Sequence, residues 1–195
     1  MRKILVCGRS RVAEATLANI ISSNELALIG YVTPNTNTFI EGSLQVCIQN
    51  GIPIYPDHHV ATSKTSPDYI LSIYYDRIFE ADFILNSSPL LNVHNSLLPT
   101  YRGMRPIDFA LKNKEKHIGV TIHKIDSGID TGDILAQSSF VVSEGESPST
   151  AREKCFDLAI PLILETLEKI DVIVPIQQNG DLASYYSKKD LWKLN

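Results

Sequence analysis

The sequence predicts an α/β fold in which a mostly parallel, twisted sheet carries helices on both faces. Three observations predict it. Residues 4–7 form an apolar run closed by Gly8, after which Ala13, Leu17, Ile20 and Ile21 recur at helical spacing, so a strand leads into an amphipathic helix. Residues 26–32 are a second continuous apolar run, the pattern of a strand covered on both faces. Further apolar runs alternate with polar connections, with no internal repeat and no linker-like stretch, which is the arrangement of one α/β domain.

The remaining elements follow in order. Residues 40–50 read as a helix ending at Gly51, residues 53–55 as a short third strand, and residues 57–68 as a polar connection. Residues 69–73 and 90–94 are strands, separated by a segment in which 77–85 is suited to a helix. Residues 118–124 and 134–142 alternate as neighbouring strands, with 126–133 as the turn between them. Ser147-Pro148 opens the last helix, whose apolar stripe is Cys155, Leu158, Ala159 and Leu162; Pro161 should kink or divide it. Residues 1–170 are therefore expected to form the core. Residues 171–195 are a C-terminal extension in which a short hairpin for dimerisation fits.

Composition sets limits on function. The chain has 195 residues, 44% of them hydrophobic, so a single well-filled core is expected. Eighteen Lys+Arg against 22 Asp+Glu leave a net charge of −4, and no whole-molecule attraction to nucleic acid or anionic membrane is expected. Cys7, Cys47 and Cys155 are odd in number, far apart and set in apolar surroundings, as core thiols in a reducing compartment would be. The first apolar stretch is too short for a signal peptide, and no run approaches the ~20 apolar residues of a membrane helix. A cytoplasmic protein is expected.

Two minor features have plain readings. The turn Gly8-Arg9-Ser10-Arg11 sits where a doubly wound fold binds phosphate, but it lacks the Gly-x-Gly-x-x-Gly pattern and a P-loop lysine. It reads either as a βα turn with solvated arginines or as an anion site for a nucleotide-linked substrate. His58-His59 invites a metal reading. Adjacent residues on an extended loop point apart, however, and with no third ligand evident no metal is expected.

The chemistry concentrates in Asn92-Val93-His94-Asn95-Ser96-Leu97-Leu98-Pro99-Thr100-Tyr101-Arg102-Gly103, followed by His123 and by Asp126-Ser127-Gly128-Ile129-Asp130-Thr131-Gly132. Asn92 and His94 lie two apart at a strand end and project to one face. A carboxamide can donate to a forming oxyanion, and an imidazole can move a proton at the same centre. Asp130, in a Gly-punctuated turn, is the carboxylate best suited to orient that imidazole. These pieces suit direct attack on a carbonyl carbon by an external amine or water, although Asn-x-His and Asp-Gly turns also occur as plain turn chemistry.

This run, with Asp-x-Gly-x-Asp-x-Gly downstream, resembles the signature of the N10-formyltetrahydrofolate-dependent formyltransferases and extends loosely over residues 4–170. The resemblance implies a Rossmann-like formyltransferase core with N10-formyltetrahydrofolate as formyl donor. It implies that Asn92, His94 and Asp130 are catalytic, with Asn92 and protonated His94 on the oxyanion and Asp130 keeping the imidazolium charged. It places the pterin against Tyr75, Asp76, Arg77 and Ile78 and the loop Ile125, Asp126 and Asp130, Asp126 also shaping that loop. Tyr101, Arg102 and Gly103 match the loop beside the acceptor, and Arg9, Ser10, Arg11 and Arg105 are the remaining candidates for substrate contact. His123 falls where some members carry a further histidine near the site.

On acceptor, the resemblance is strongest to the sugar-nucleotide N-formyltransferases. A tRNA acceptor is set aside on charge and on the residues left after 170, and the first turn differs from the phosphate loop of phosphoribosylglycinamide formyltransferases. A nucleotide-linked amino sugar is the expected small-molecule acceptor, and another small amine, the initiating aminoacyl group of a peptide synthetase as the close runner-up or phosphoribosylglycinamide, is the alternative. A folate- or nucleotide-binding protein without catalysis is the alternative of a different class.

Overall fold

Along the first strand, β1 (Arg2–Gly8), Ile4 and Val6 point to one hydrophobic core while Leu5 and Cys7 point to another, as the two-residue period of a strand requires. The computed structural model describes residues 1–34 and 42–194 and builds a layer on each side of that strand. On one face lie α1 (Ser10–Ser22) and α6 (Pro148–Lys169), packed with Leu17, Ile20, Cys155 and Ile163. On the other lie α3 (His58–Lys64) and α4 (Ala81–Asn86), with Ala61 and Phe83.

The sheet order is β3-β2-β1-β4-β5-β7-β8. The strands β2 (Leu26–Val32), β3 (Ile54–Tyr55), β4 (Tyr69–Ile73) and β5 (Leu90–His94) run parallel with β1. Beyond them, β7 (His117–Lys124) and β8 (Ile134–Val141) are antiparallel. A short β6 (Arg102–Gly103), before α5 (Pro106–Lys112), stands apart from this sheet. This is the mostly parallel α/β sheet the apolar runs predict.

Four local expectations change. Residues 57–68 are not only connection: Asp57 accepts from the Val60 N–H at 2.8 Å and caps α3, a cap strong enough to start a helix of weak periodicity. The helix expected over 77–85 begins only at Ala81, because 75–80 runs across the sheet end with Phe79 buried. Pro161 neither ends nor divides α6; it lies on the exposed face, where its missing N–H costs only the carbonyl of Asp157 a partner. The C-terminal extension is not a hairpin among the described residues. Its Tyr185–Tyr186 segment, β9, pairs in parallel with β6, and Ile176 bridges Ile134. The helix predicted from 40 is seen as α2 (Gly42–Gln49); residues 35–41 lie outside the described chain.

The three cysteines are free and buried. No helix among the described residues is long and apolar enough to cross a membrane. At the end of β1, a Cβ on Gly8 would lie 2.2 Å from the Ile73 carbonyl oxygen of β4, and backbone cannot move aside as a side chain can. Gly8→Ala is therefore expected to destabilise the fold by about 1–3 kcal/mol. Urea unfolding with an unchanged midpoint would contradict that packing.

Candidate active site

The strand ends converge. Register pairs Asn92 of β5 with His123 of β7, and His94 with Thr121, so the carboxamide and both imidazoles reach the same end of the sheet. The turn after β7 brings Asp130 over them in a left-handed conformation (φ 53°) that aspartate tolerates better than most residues.

Asp130 is the centre of the cluster. Its Oδ2 accepts from the Gly103 N–H at 2.8 Å and lies 3.5 Å from His94 Nδ1; its Oδ1 lies 3.5 Å from both His123 Nε2 and Asn92 Nδ2. Burial raises its carboxyl pKa. His123, His94 and the Gly103 N–H outweigh that and lower it to about 2, so the group is a carboxylate at any ordinary pH.

The tautomers follow from the neighbours. His94 Nε2 is 2.9 Å from the Tyr101 carbonyl, which can only accept, so Nε2 carries the hydrogen and Nδ1 faces Asp130 with a lone pair. Burial lowers the His94 pKa, more than Asp130 and the Tyr101 carbonyl raise it, so the resting imidazole is neutral. His123 Nδ1 donates to the Lys124 carbonyl at 2.7 Å, leaving Nε2 to accept from Asn92 Nδ2 at 3.1 Å. That bond turns the Asn92 NH2 toward Asp130, and its second hydrogen, 3.5 Å contact and all, is only weakly engaged.

The Tyr101-Arg102-Gly103 segment packs directly against the cluster. Tyr101 is buried, its ring stacks on Tyr186 at 5.8 Å and its hydroxyl donates to Glu115 at 2.6 Å. Its positive φ of 59° aims the carbonyl at His94. Arg102 donates to Gln178 Oε1 at 2.7 and 3.1 Å. Gly103 has φ 88°, and a Cβ there would lie 2.3 Å from the Tyr186 carbonyl, so only glycine brings this N–H to Asp130.

Gln178 has no counterpart in the sequence reading. Its Nε2 donates to the carbonyls of Asp130 at 2.9 Å and Gly132 at 2.7 Å while its Oε1 holds Arg102, so one side chain ties both loops of the cluster together. Around it, Arg102 N–H donates to Ser184 O and Met104 N–H to Tyr186 O, both at 2.8 Å. A lone glutamine in a tail carries no sequence signal for this role.

Beside the cluster lies a cavity of about 250 Å³ lined by Ser72, Tyr75, Arg77, Ile78, Phe79, Ile84, Asn92, His123 and residues 125–130. Tyr75, Arg77, Ile78, Ile125, Asp126 and Asp130 are thus brought together as expected, and Asp76 is not among the lining; its carboxylate pairs with Arg9 at 3.4 Å. Asp126 accepts from Gly128 and Thr131 and shapes the loop. Ile78 is 84% exposed and Ile129 53%, which gives the cavity an exposed apolar rim.

Arg9, Arg11 and Arg105 are paired away from the cluster, Arg9 with Asp76. Arg11 is committed to α6, with Glu153 and Asp157 at 2.8 Å, and Arg105 pairs with Asp108 at 2.6 Å. The N–H groups of the first turn are engaged within the fold: Arg9 N–H donates to Ile73 O of β4 at 3.1 Å and Val12 N–H to Ser10 Oγ at 3.3 Å, which favours the plain βα turn over an anion site. The cysteines are no nucleophiles. Burial raises Cys47 to about 11 and Cys155 to about 12.

Known proteins resemble this chain in sequence and fold. Residues 46–167 match the formyl transferase family. A methionyl-tRNA formyltransferase of Thermodesulfovibrio yellowstonii is 31% identical over 209 residues, covering 98% of this chain and 68% of the relative. That of Caldicellulosiruptor saccharolyticus is 37% identical over 123 residues, 63% of this chain, which is only 40% of the relative's length. Among solved structures, the N-formyltransferase of Helicobacter canadensis, in complex with folinic acid and dTDP-3-aminofucose, superposes with a TM-score of 0.84 at 26% identity over 97% of this chain and 72% of that one. Acceptor names therefore divide between the sequence relatives, which carry that of tRNA, and the solved structure, which carries that of an amino sugar. The fold, the cluster and the match over residues 46–167 agree that this chain belongs to the formyl transferase family.

Proposed function

We propose that this chain transfers a formyl group from N10-formyltetrahydrofolate to the primary amine of a nucleotide-linked amino sugar. One observation carries the reaction: a carboxamide, a neutral imidazole and a carboxylate meet at the mouth of an apolar cavity. Tyr75, Phe79, Ile84 and Ile125 suit the faces of a flat bicyclic ring, and Ile78 and Ile129 gain in the complex the apolar cover they lack alone.

In this reading the amine attacks the formyl carbon, forming the new C–N bond. Asn92 turns its second N–H to the developing oxyanion. His94 Nδ1 takes the amine's proton, and Asp130, 3.5 Å away, stabilises the imidazolium that results. The proton then goes to the departing nitrogen of the folate as the old C–N bond breaks. Tyr101 and Gly103 hold His94 and Asp130 for this purpose rather than touching the acceptor.

The amino-sugar acceptor is supported by the solved N-formyltransferase and its bound dTDP-3-aminofucose, together with the acidic net charge. The second reading, an aminoacyl-tRNA acceptor, is supported by the names of the sequence relatives. Mass spectrometry of reactions with N10-formyltetrahydrofolate and a panel of amino-sugar nucleotides, methionyl-tRNA and phosphoribosylglycinamide separates them. The expected product is a formylated sugar nucleotide, with Asn92→Ala slower by about 100- to 1000-fold. Formylation of tRNA alone keeps the chemistry and replaces the acceptor. Undiminished turnover in both Asn92→Ala and His94→Ala overturns the site.

Gln178 acts as a positioning residue in the same reaction. Gln178→Ala is expected to lower kcat by about 10- to 100-fold, the usual cost of misplaced reacting groups, with the donor KM and the thermal midpoint little changed. An unaltered kcat, or a loss that follows unfolding, would contradict that role.

A further inference from the structure

A second cluster of chemical side chains lies on the face of the sheet that carries α3. Because Asp57 caps α3, His58 and His59 occupy its first turn instead of an extended loop, and their rings lie 4.5 Å apart at 34° rather than pointing away from one another. The third group is Glu80, more than twenty residues on and at the start of α4. Its Oε2 is 3.2 Å from His58 Nε2 and 3.1 Å from His59 Nε2. Both reasons for expecting no metal at His58-His59 are thereby removed.

We propose that His58, His59 and Glu80 form a binding site for one zinc-class divalent cation. The donor atoms of the three residues lie within 4.8 Å of one another. Ligands about 2.0–2.1 Å from a tetrahedral zinc stand about 3.3–3.4 Å apart, close to the two Glu80 separations. Two imidazoles and one carboxylate suit zinc, cobalt or nickel far better than calcium or magnesium, which favour all-oxygen sets.

The site is prepared in advance. The His58 side chain is only 3% exposed and sits among the rings of Phe79 at 4.7 Å, Phe83 at 4.5 Å and Tyr75 at 5.9 Å, so its orientation is set before any ion arrives. Its other nitrogen, Nδ1, lies 3.2 Å from the Tyr75 hydroxyl, the outer hydrogen-bond partner that metal-bound imidazoles use to fix their tautomer. His59 and Glu80 are 59% and 62% exposed, so an ion has a path in and water can complete its shell. Bound there, the cation ties α3 to the 75–80 segment, and Tyr75 and Phe79 of that segment line the cavity beside the catalytic cluster. The cluster's own composition makes no use of this ion.

Chelator-treated, tag-free protein titrated with ZnCl2 by calorimetry, and with CoCl2 by visible absorption, tests the proposal. One saturable equivalent with the intense visible bands of four-coordinate cobalt is expected. His59→Ala and Glu80→Gln, both at exposed positions and checked for folding by circular dichroism, are expected to abolish it. Tyr75→Phe should weaken it by about 10- to 100-fold, and His94→Ala, which alters the other histidine cluster, should leave it intact. No saturable uptake by the wild-type chain, or uptake that survives His59→Ala and Glu80→Gln, or that is lost with His94→Ala alone, overturns the assignment.

Discussion

A carboxylate with only 14% of its side chain exposed has to be compensated, and the compensation of Asp130 organises this end of the molecule. Its four partners come from three strands: Asn92 and His94 from β5, His123 from β7, and the Gly103 N–H from β6. The β5–β7 register brings Asn92, His94 and His123 together, and the pairing of β9 with β6 holds Gly103. The C-terminal segment is therefore part of the site's architecture. Tyr186 stacks on Phe109 at 3.9 Å, and its backbone carbonyl holds the Met104 N–H, so the tail fixes the height of the loop above the carboxylate.

Much of this was legible in the residues. The strand runs follow from apolar periodicity: β1 and β2 are the continuous runs of strands covered on both faces, and β7 follows from alternation. Asn92, His94 and Asp130 were legible from type and spacing together with the resemblance. The Tyr-Arg-Gly motif was legible as a motif, but a motif near a site does not reveal that its backbone makes the contacts seen here, the Tyr101 carbonyl with His94 and the Gly103 N–H with Asp130. Gln178 was not legible at all. Its function depends on a non-local meeting of residues 102, 130, 132 and 178 that no local pattern encodes.

His58-His59 shows the same limit from the other side. Two adjacent histidines mean one thing on an extended chain and another on the first turn of a helix, and a short cap by Asp57 decides between them. Whether the third donor exists depends on where the 75–80 segment ends. That segment borders the cavity on one side and the histidine pair on the other, so a single stretch of chain serves both clusters.

The central claim is that Tyr101 and Asp130 fix His94 as a neutral imidazole with its hydrogen on Nε2 and its basic lone pair on Nδ1. Titration of 15N-histidine-labelled protein by NMR, in wild type and Asp130→Asn, tests it most directly. The result expected is an Nε2–H tautomer for His94 that gains its proton only below the ordinary histidine value of about 6.5, and lower still in Asp130→Asn, because the carboxylate is one of the groups that raise it. A hydrogen on Nδ1 in the neutral form, a titration above the ordinary value, or no downward movement in Asp130→Asn would contradict it.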